Sequence, residues 1–248
     1  MLKLNMDKTE LLWIGTKYNL SKLNGSGPSL HVHVLGVQFS SDLSLDKHIS
    51  CVSSSCFHQL RQLRRIQRSL DKESAATPMH AFVTSRVDYC NAVFAAAPKT
   101  ATDKLQHVLN ATARLISDTR KYNQGLSRLM HQDLHWLDIP ERVSYKFCLL
   151  TPMSPREAPV YLLVYCTLVS QVAARQHLHS AACHRLVVPQ HRLSTYSHRA
   201  FAVAGPMTFN ALPDELHDPT VNTTTCRRLL KTHFSPAIYT SSALEVKA

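Results

Sequence analysis

A chain of 248 residues with 44% hydrophobic side chains has the length and apolar content for one large folded domain or two small ones, which excludes a low-complexity or purely polar tract. Lysine and arginine outnumber the acids 28 to 17, and the net charge of +11 suits a protein that meets phosphate backbones or anionic membranes, a solvated basic surface being the plain alternative. Seven scattered cysteines, without a C-x-x-C pair, imply no disulfide framework and fit a reducing compartment.

At the start, Asn5, Lys8, Thr9 and Glu10 lead directly into Leu11, Leu12, Trp13 and Ile14. That run reads like an interior strand of a sheet whose other strands should precede it. Lys3, Asp7, Lys8 and Glu10 break any signal-peptide core, so the chain is expected to be intracellular, cytoplasmic or nuclear, and not secreted. The loop NGSGPS follows, then LHVHVLGVQF, in which two period-2 runs change phase at Leu35 and Gly36. A glycine at such a point predicts a bulge or a close backbone approach.

From Asp46 the period changes to three and four. Ile49, Val52, Cys56, Leu60, Leu63, Ile66 and Leu70 predict a helix of about seven turns, whose other side carries Arg61, Arg64, Arg65 and Arg68. A second helix is expected from about Ser74, with Met79, Phe82, Val83, Val87, Cys90 and Phe94 on one side. A third, from about Thr102, uses Leu105, Val108, Leu109, Thr112 and Ile116. Short connections favour antiparallel packing into a bundle. Between residues 46 and 128 there are 13 lysines and arginines against 6 acids, so most of the charge excess sits on this bundle.

Beyond Tyr122 the pattern weakens to a short helix, a turn at Asp138 to Pro140 and a helix from about Glu141 to Leu150. Prolines 152, 155 and 159 interrupt the next stretch. The most apolar segment, APVYLLVYCTLVSQVAA, is shorter than the roughly 20 residues that span a bilayer and predicts a buried helix or strand, with no membrane partner. The segment from Leu186 to Leu216 reads as short strands and turns, followed by a basic helix around Thr224 to His233.

Together N-x-x-K-T-E with its strand, the Val34 to Val37 element followed by DLSLDKHI, LRQLRRIQRSL, HAFVTSRVDYCN, DKLQHVLNATARLI, LHWLDIPERVSYK, RQHLHSA, RLVVPQHRLSTYSHRAFAVAGP and NALPDEL resemble the reverse transcriptase of non-LTR, LINE-class retrotransposons of the jockey-like group. The likeness covers roughly residues 2 to 235. It implies an α+β chain: a late-palm β remnant with a primer-grip-like hairpin at 1–45, a mainly α-helical thumb-like bundle at 46–150, an irregular α+β C-terminal extension at 151–235 and an unmatched tail at 236–248.

Within that resemblance Leu35, Gly36 and Val37 take the primer-grip position, and the catalytic aspartates are expected upstream of Leu2. Lys8 would be a general acid only with an upstream palm, and Mg2+ is expected only for the intact parent enzyme, an RNA-directed DNA polymerase. The proline-broken interval at 151–160 departs from the family, Phe209 stands where it has tryptophan in G-P-x-x-W-N, and residues 1–45 are not expected to fold by themselves.

Two-metal phosphoryl transfer needs converging carboxylates, and the acids offer only Asp214 and Glu215 as neighbours, in a turn-like LPDEL; Asp88 on a helix reads as an ion-pair or solvent-facing residue. His177, His179, Cys183 and His184 match no established zinc spacing, so no metal site is expected in this chain. No polymerase activity is therefore expected of the chain alone. Non-specific binding of RNA or an RNA/DNA duplex is the retained property expected, through Arg61, Arg64, Arg65 and Arg68, with Lys104, Arg114, Arg120 and Lys121 as secondary contacts. A domesticated helical interaction module and a non-functional pseudogene product are the alternatives.

Overall fold

The computed structural model describes residues 9, 12, 14, 31–67, 69, 71–119, 125–151, 160–177, 179, 183–191, 198–218 and 221–235. These are mainly helical, with one small two-stranded antiparallel sheet. The sheet is a hairpin, β1 (His31–Val34) and β2 (Val37–Ser40), in register from His31 opposite Ser40 to Val34 opposite Val37.

Helix α1 (Asp46–Gln67) begins where the Ser44 hydroxyl accepts the Asp46 N–H and bonds back to its carboxylate. Asp46 in its first turn and Arg64 and Arg65 in its last both complement the helix dipole. His48, Ile49, Ser53, Cys56, Leu60 and Leu63 are its buried row. The expected apolar stripe is corrected at Ile66, which is 50% exposed, and Leu70 lies outside the described residues.

The second predicted helix is broken into three pieces: α2 (Lys72–Met79), a π-helical turn at His80–Thr84 and α3 (Ser85–Asp88). Its buried apolar residues, Ala75, Met79, Val83 and Val87, recur every four positions. In an α-helix such a row drifts by about 40° per step. The wider π turn takes that drift back and keeps the row on the core. Phe82, expected inside, is off the row and 49% exposed. Cys90 then adopts a left-handed conformation (φ 51°) that ends the helix, and a 3-10 turn, Asn91–Phe94, delivers Phe94 into the core.

Helix α4 (Lys99–Ile116) buries all five of its predicted apolar positions. Each fully buried Leu or Val there contributes roughly 1.5–3 kcal/mol of hydrophobic stabilisation. Cross-contacts set directions: Cys56 and Ser55 of α1 meet Val83 and Arg86, so α2–α3 runs antiparallel to α1. Ser50 meets Lys104 and Gln67 meets Leu115, so α4 lies parallel to α1.

Short helix α5 (Leu126–Arg128) continues into a π turn, Leu129–Asp133, and α6 (Ile139–Leu150) follows with Pro140 in its first turn. Val37 and Leu45 before α1, and Ala204 far beyond α6, share the same core as the helices between.

The apolar segment expected to be a buried helix or strand instead forms short pieces, one turn of helix, α7 (Val160–Leu163), and 3-10 turns at Val169–Gln171 and Ala173–Arg175; Val169 is buried, whereas Tyr161, Val164 and Tyr165 are exposed. An isolated bridge between Leu168 and Leu186 is the regular pairing seen near it.

Expected strands and turns at Phe201 to Asn210 are corrected to a helix, α8 (Phe201–Asn210). Gly205 and Pro206 give the stretch the look of a turn, yet a Cβ on Gly205 would lie 3.2 Å from the buried Thr151 hydroxyl. The glycine therefore serves a close helix approach rather than a turn. The basic helix, α9 (Thr223–Phe234), forms as expected and packs with Phe209, Leu212 and Leu216 in a second, smaller core that also contains Cys148.

Candidate nucleic-acid interface

With one row of α1 committed to the core, its remaining faces are solvated, and Arg61, Arg64 and Arg65 are exposed there. Among the described residues none of the ion pairs involves these three arginines. Arg68 lies outside the described residues. Lys47, His58, Arg61 and Arg65 recur at steps of eleven, three and four, which places them in one exposed stripe about 27 Å long at 1.5 Å per residue. Sequence reasoning missed Lys47 and His58; counting back from Arg65 at helical period finds them.

Lys104 is exposed on α4 and donates to the Ser50 hydroxyl of α1 at 3.2 Å. Ser50 precedes Arg61 by about 17 Å along the same helix, so Lys104 flanks the start of the basic side. Arg114 is different: it is half-buried, and its Nε is shielded without a hydrogen-bond partner among the described residues. Arg120 and Lys121 lie outside the described residues.

The bulge expected around Leu35 and Gly36 is corrected to a two-residue hairpin turn. Both residues have positive φ, 49° and 81°, the pattern of a type I′ turn whose twist matches its strands. Leu35 is 82% exposed at the tip and Val37 is buried. Tyr89 fixes the tip to the end of α3, its hydroxyl donating to the Leu35 carbonyl at 2.7 Å. His48 of α1 accepts the Gln38 N–H at Nδ1 (3.4 Å), and burial, with His33 nearby, lowers its pKa. The hairpin is thus seated on the N-terminal half of α1.

Among the described residues the acids sit in separate contacts. Asp88 is held by Arg142, while Asp214, in a 3-10 turn, faces Arg185 at 3.5 Å and His217 Nδ1 at 3.6 Å. Cys183 lies 3.5 Å from His179 and 3.6 Å from Asp214. Among the described residues no three His, Cys, Asp or Glu side chains are arranged to hold a metal ion. Lys8 lies outside the described residues. Among them, no helix is long and apolar enough to cross a membrane.

None of the seven cysteines is joined in a disulfide. Burial, reinforced by neighbouring Cys226, pushes Cys148 up to about 12, and burial alone pushes Cys166 to about 11, so neither offers a reactive thiolate at neutral pH.

No protein-family model, curated protein or solved structure matches this chain.

Proposed function

We propose that the chain is the late-palm, thumb and C-terminal-extension part of a jockey-like, LINE-class reverse transcriptase, without polymerase activity of its own, and that it binds RNA or an RNA/DNA duplex without sequence preference. The observation that carries the binding is the basic face of Arg61, Arg64 and Arg65, exposed on a 22-residue helix and outside every ion pair among the described residues. Such cations bind phosphates by displacing condensed counterions, which needs neither base contacts nor a cavity.

Two further features support the family reading. A hairpin packed beside the first long helix of a bundle is the arrangement that a primer-grip element followed by a thumb leads one to expect. The G-P-x-x-aromatic-N element also has a physical reason at its glycine, its aromatic residue and its asparagine. Gly205 permits the approach to Thr151, Phe209 fills the second core, and the Asn210 amide pairs with both the N–H and the carbonyl of Leu186 at 2.8 Å.

Fluorescence anisotropy with two RNA/DNA duplexes of unrelated sequence tests the proposal. Equal dissociation constants, between about 0.1 mM and 1 µM at physiological salt, are expected for both. Arg61, Arg64 and Arg65 changed together to Gln should weaken both alike, and unchanged binding by that variant contradicts the assignment.

A second reading, a helical protein-interaction module, rests on the apolar patch of Tyr161, Val164 and Tyr165, exposed by 69%, 70% and 50%. It requires a defined protein complex that forms equally at low and high salt and is lost when Tyr161 and Tyr165 become Ser.

A further inference from the structure

A cleft of about 810 Å³ opens between the 3-10 turn at Asn91–Phe94, α4, the π turn at Leu129–Asp133, α6 and α8. It lies away from the basic stripe: Gln106 and Asn110 line it from the side of α4 opposite Lys104, as the 100° helical step requires. The volume is that of a small-molecule site.

Phe94, Val143 and Phe147 supply apolar wall, and the polar end is a network built around Gln106. The Gln106 Nε2 donates to Asp138 Oδ1 at 2.8 Å and to Asn110 Oδ1 at 3.1 Å, while its Oε1 accepts the Ile139 N–H at 2.9 Å. The amide is fully used, and it holds the start of α6 against α4.

What remains at this end is a surplus of acceptors. His131 has a side chain only 9% exposed, and its Nδ1 lies 2.9 Å from the Trp136 carbonyl, so Nδ1 carries the proton. Its Nε2 then faces Asp138 Oδ2 at 3.5 Å, an ion pair when the ring carries a second proton and two opposed acceptors when it does not. Glu141 Oε2, three residues further on, is buried without a hydrogen-bond partner. Burial raises the pKa of Glu141, and the neighbouring Asp138 adds to the rise. Lys99, at the start of α4, is the lysine that lines the cleft. An occupant that satisfied this end would bring N–H donors and positive charge.

We propose that this cleft binds a small protonated amine with an apolar body, its ammonium donating between Asp138 and His131 while its hydrocarbon lies on Phe94, Val143 and Phe147. The proposal is independent of the nucleic-acid face.

Titration of the full chain with phenethylamine, followed by amide chemical shifts, tests it. Phenethyl alcohol serves as the uncharged analogue and hydrocinnamate as the anionic one. The amine should bind with a dissociation constant of about 0.1–1 mM, as its size allows, and about tenfold more tightly than the alcohol. Shifts should centre on Gln106, His131 and Asp138, and hydrocinnamate should not saturate. Asp138→Asn should bring amine and alcohol to within about threefold of each other. Equal binding of amine and alcohol by the unaltered chain, tighter binding of the carboxylate, or shifts centred elsewhere overturns the proposal. The amine-to-alcohol ratio of the unaltered chain decides the matter even if the Asn variant fails to fold.

Discussion

Arg142 holds Asp88 through a single guanidinium nitrogen, Nη1, which lies 2.9 and 2.7 Å from the two carboxylate oxygens. Its Nε meanwhile donates to the Leu137 carbonyl at 2.7 Å, and the guanidinium carbon stands 5.7 Å from the centre of the Trp136 ring. One arginine therefore joins the end of α3 to the start of α6 across 54 residues of sequence.

Arg142→Ala should cost about 2–4 kcal/mol, because it strips the carboxylate, a backbone carbonyl and an aromatic face at once. Asp88→Asn should cost less, about 1 kcal/mol, since the Asp88 side chain is 39% exposed and water screens part of the attraction. Urea denaturation measures both. Arg142→Lys as stable as the unaltered chain would show that the second guanidinium nitrogen contributes nothing.

The hairpin tip carries strain that a substitution can remove. Leu35 is exposed and left-handed, a conformation that costs an ordinary L-residue about 1–2 kcal/mol. Leu35→Asn creates Asn-Gly, the preferred type I′ pair, and keeps the carbonyl that Tyr89 binds. Thermal melts should show a gain of about 0.5–1 kcal/mol; a loss would mean that the Leu35 side chain itself is needed.

His48 links the hairpin to pH. Its pKa is lowered in the folded chain, so between that value and the unfolded value of about 6.5 the unfolded chain binds more protons. The His48 contribution is complete above about pH 6.5 and is lost as pH falls through the folded pKa. Urea midpoints at descending pH should fall less steeply for His48→Asn, whose Oδ1 can still accept the Gln38 N–H but does not titrate. Equal slopes would place the pH sensitivity in other histidines.

Helix α4 was legible in the sequence because burial there follows an uninterrupted helical period, from Leu105 to Ile116. Phe82 was misplaced because a π turn changes the period without any composition signal. Helix α8 was hidden by Gly205 and Pro206, residues whose usual meaning is a turn. The arginine stripe could be read directly, since an exposed face needs no partner to define it. The cleft could not: Gln106, His131 and Asp138 meet only after three segments have packed, and no spacing encodes that meeting.

The phosphate-binding face we propose on α1 consists of Arg61, Arg64 and Arg65. The most direct measurement is the slope of the logarithm of duplex affinity against the logarithm of salt concentration, for the unaltered chain and for the triple Gln variant. A steep negative slope, shallower by roughly 0.9 for each arginine removed that contacts a phosphate, is the expected result. A flat slope, or one that the three substitutions leave unchanged, would contradict a phosphate-binding role for these arginines.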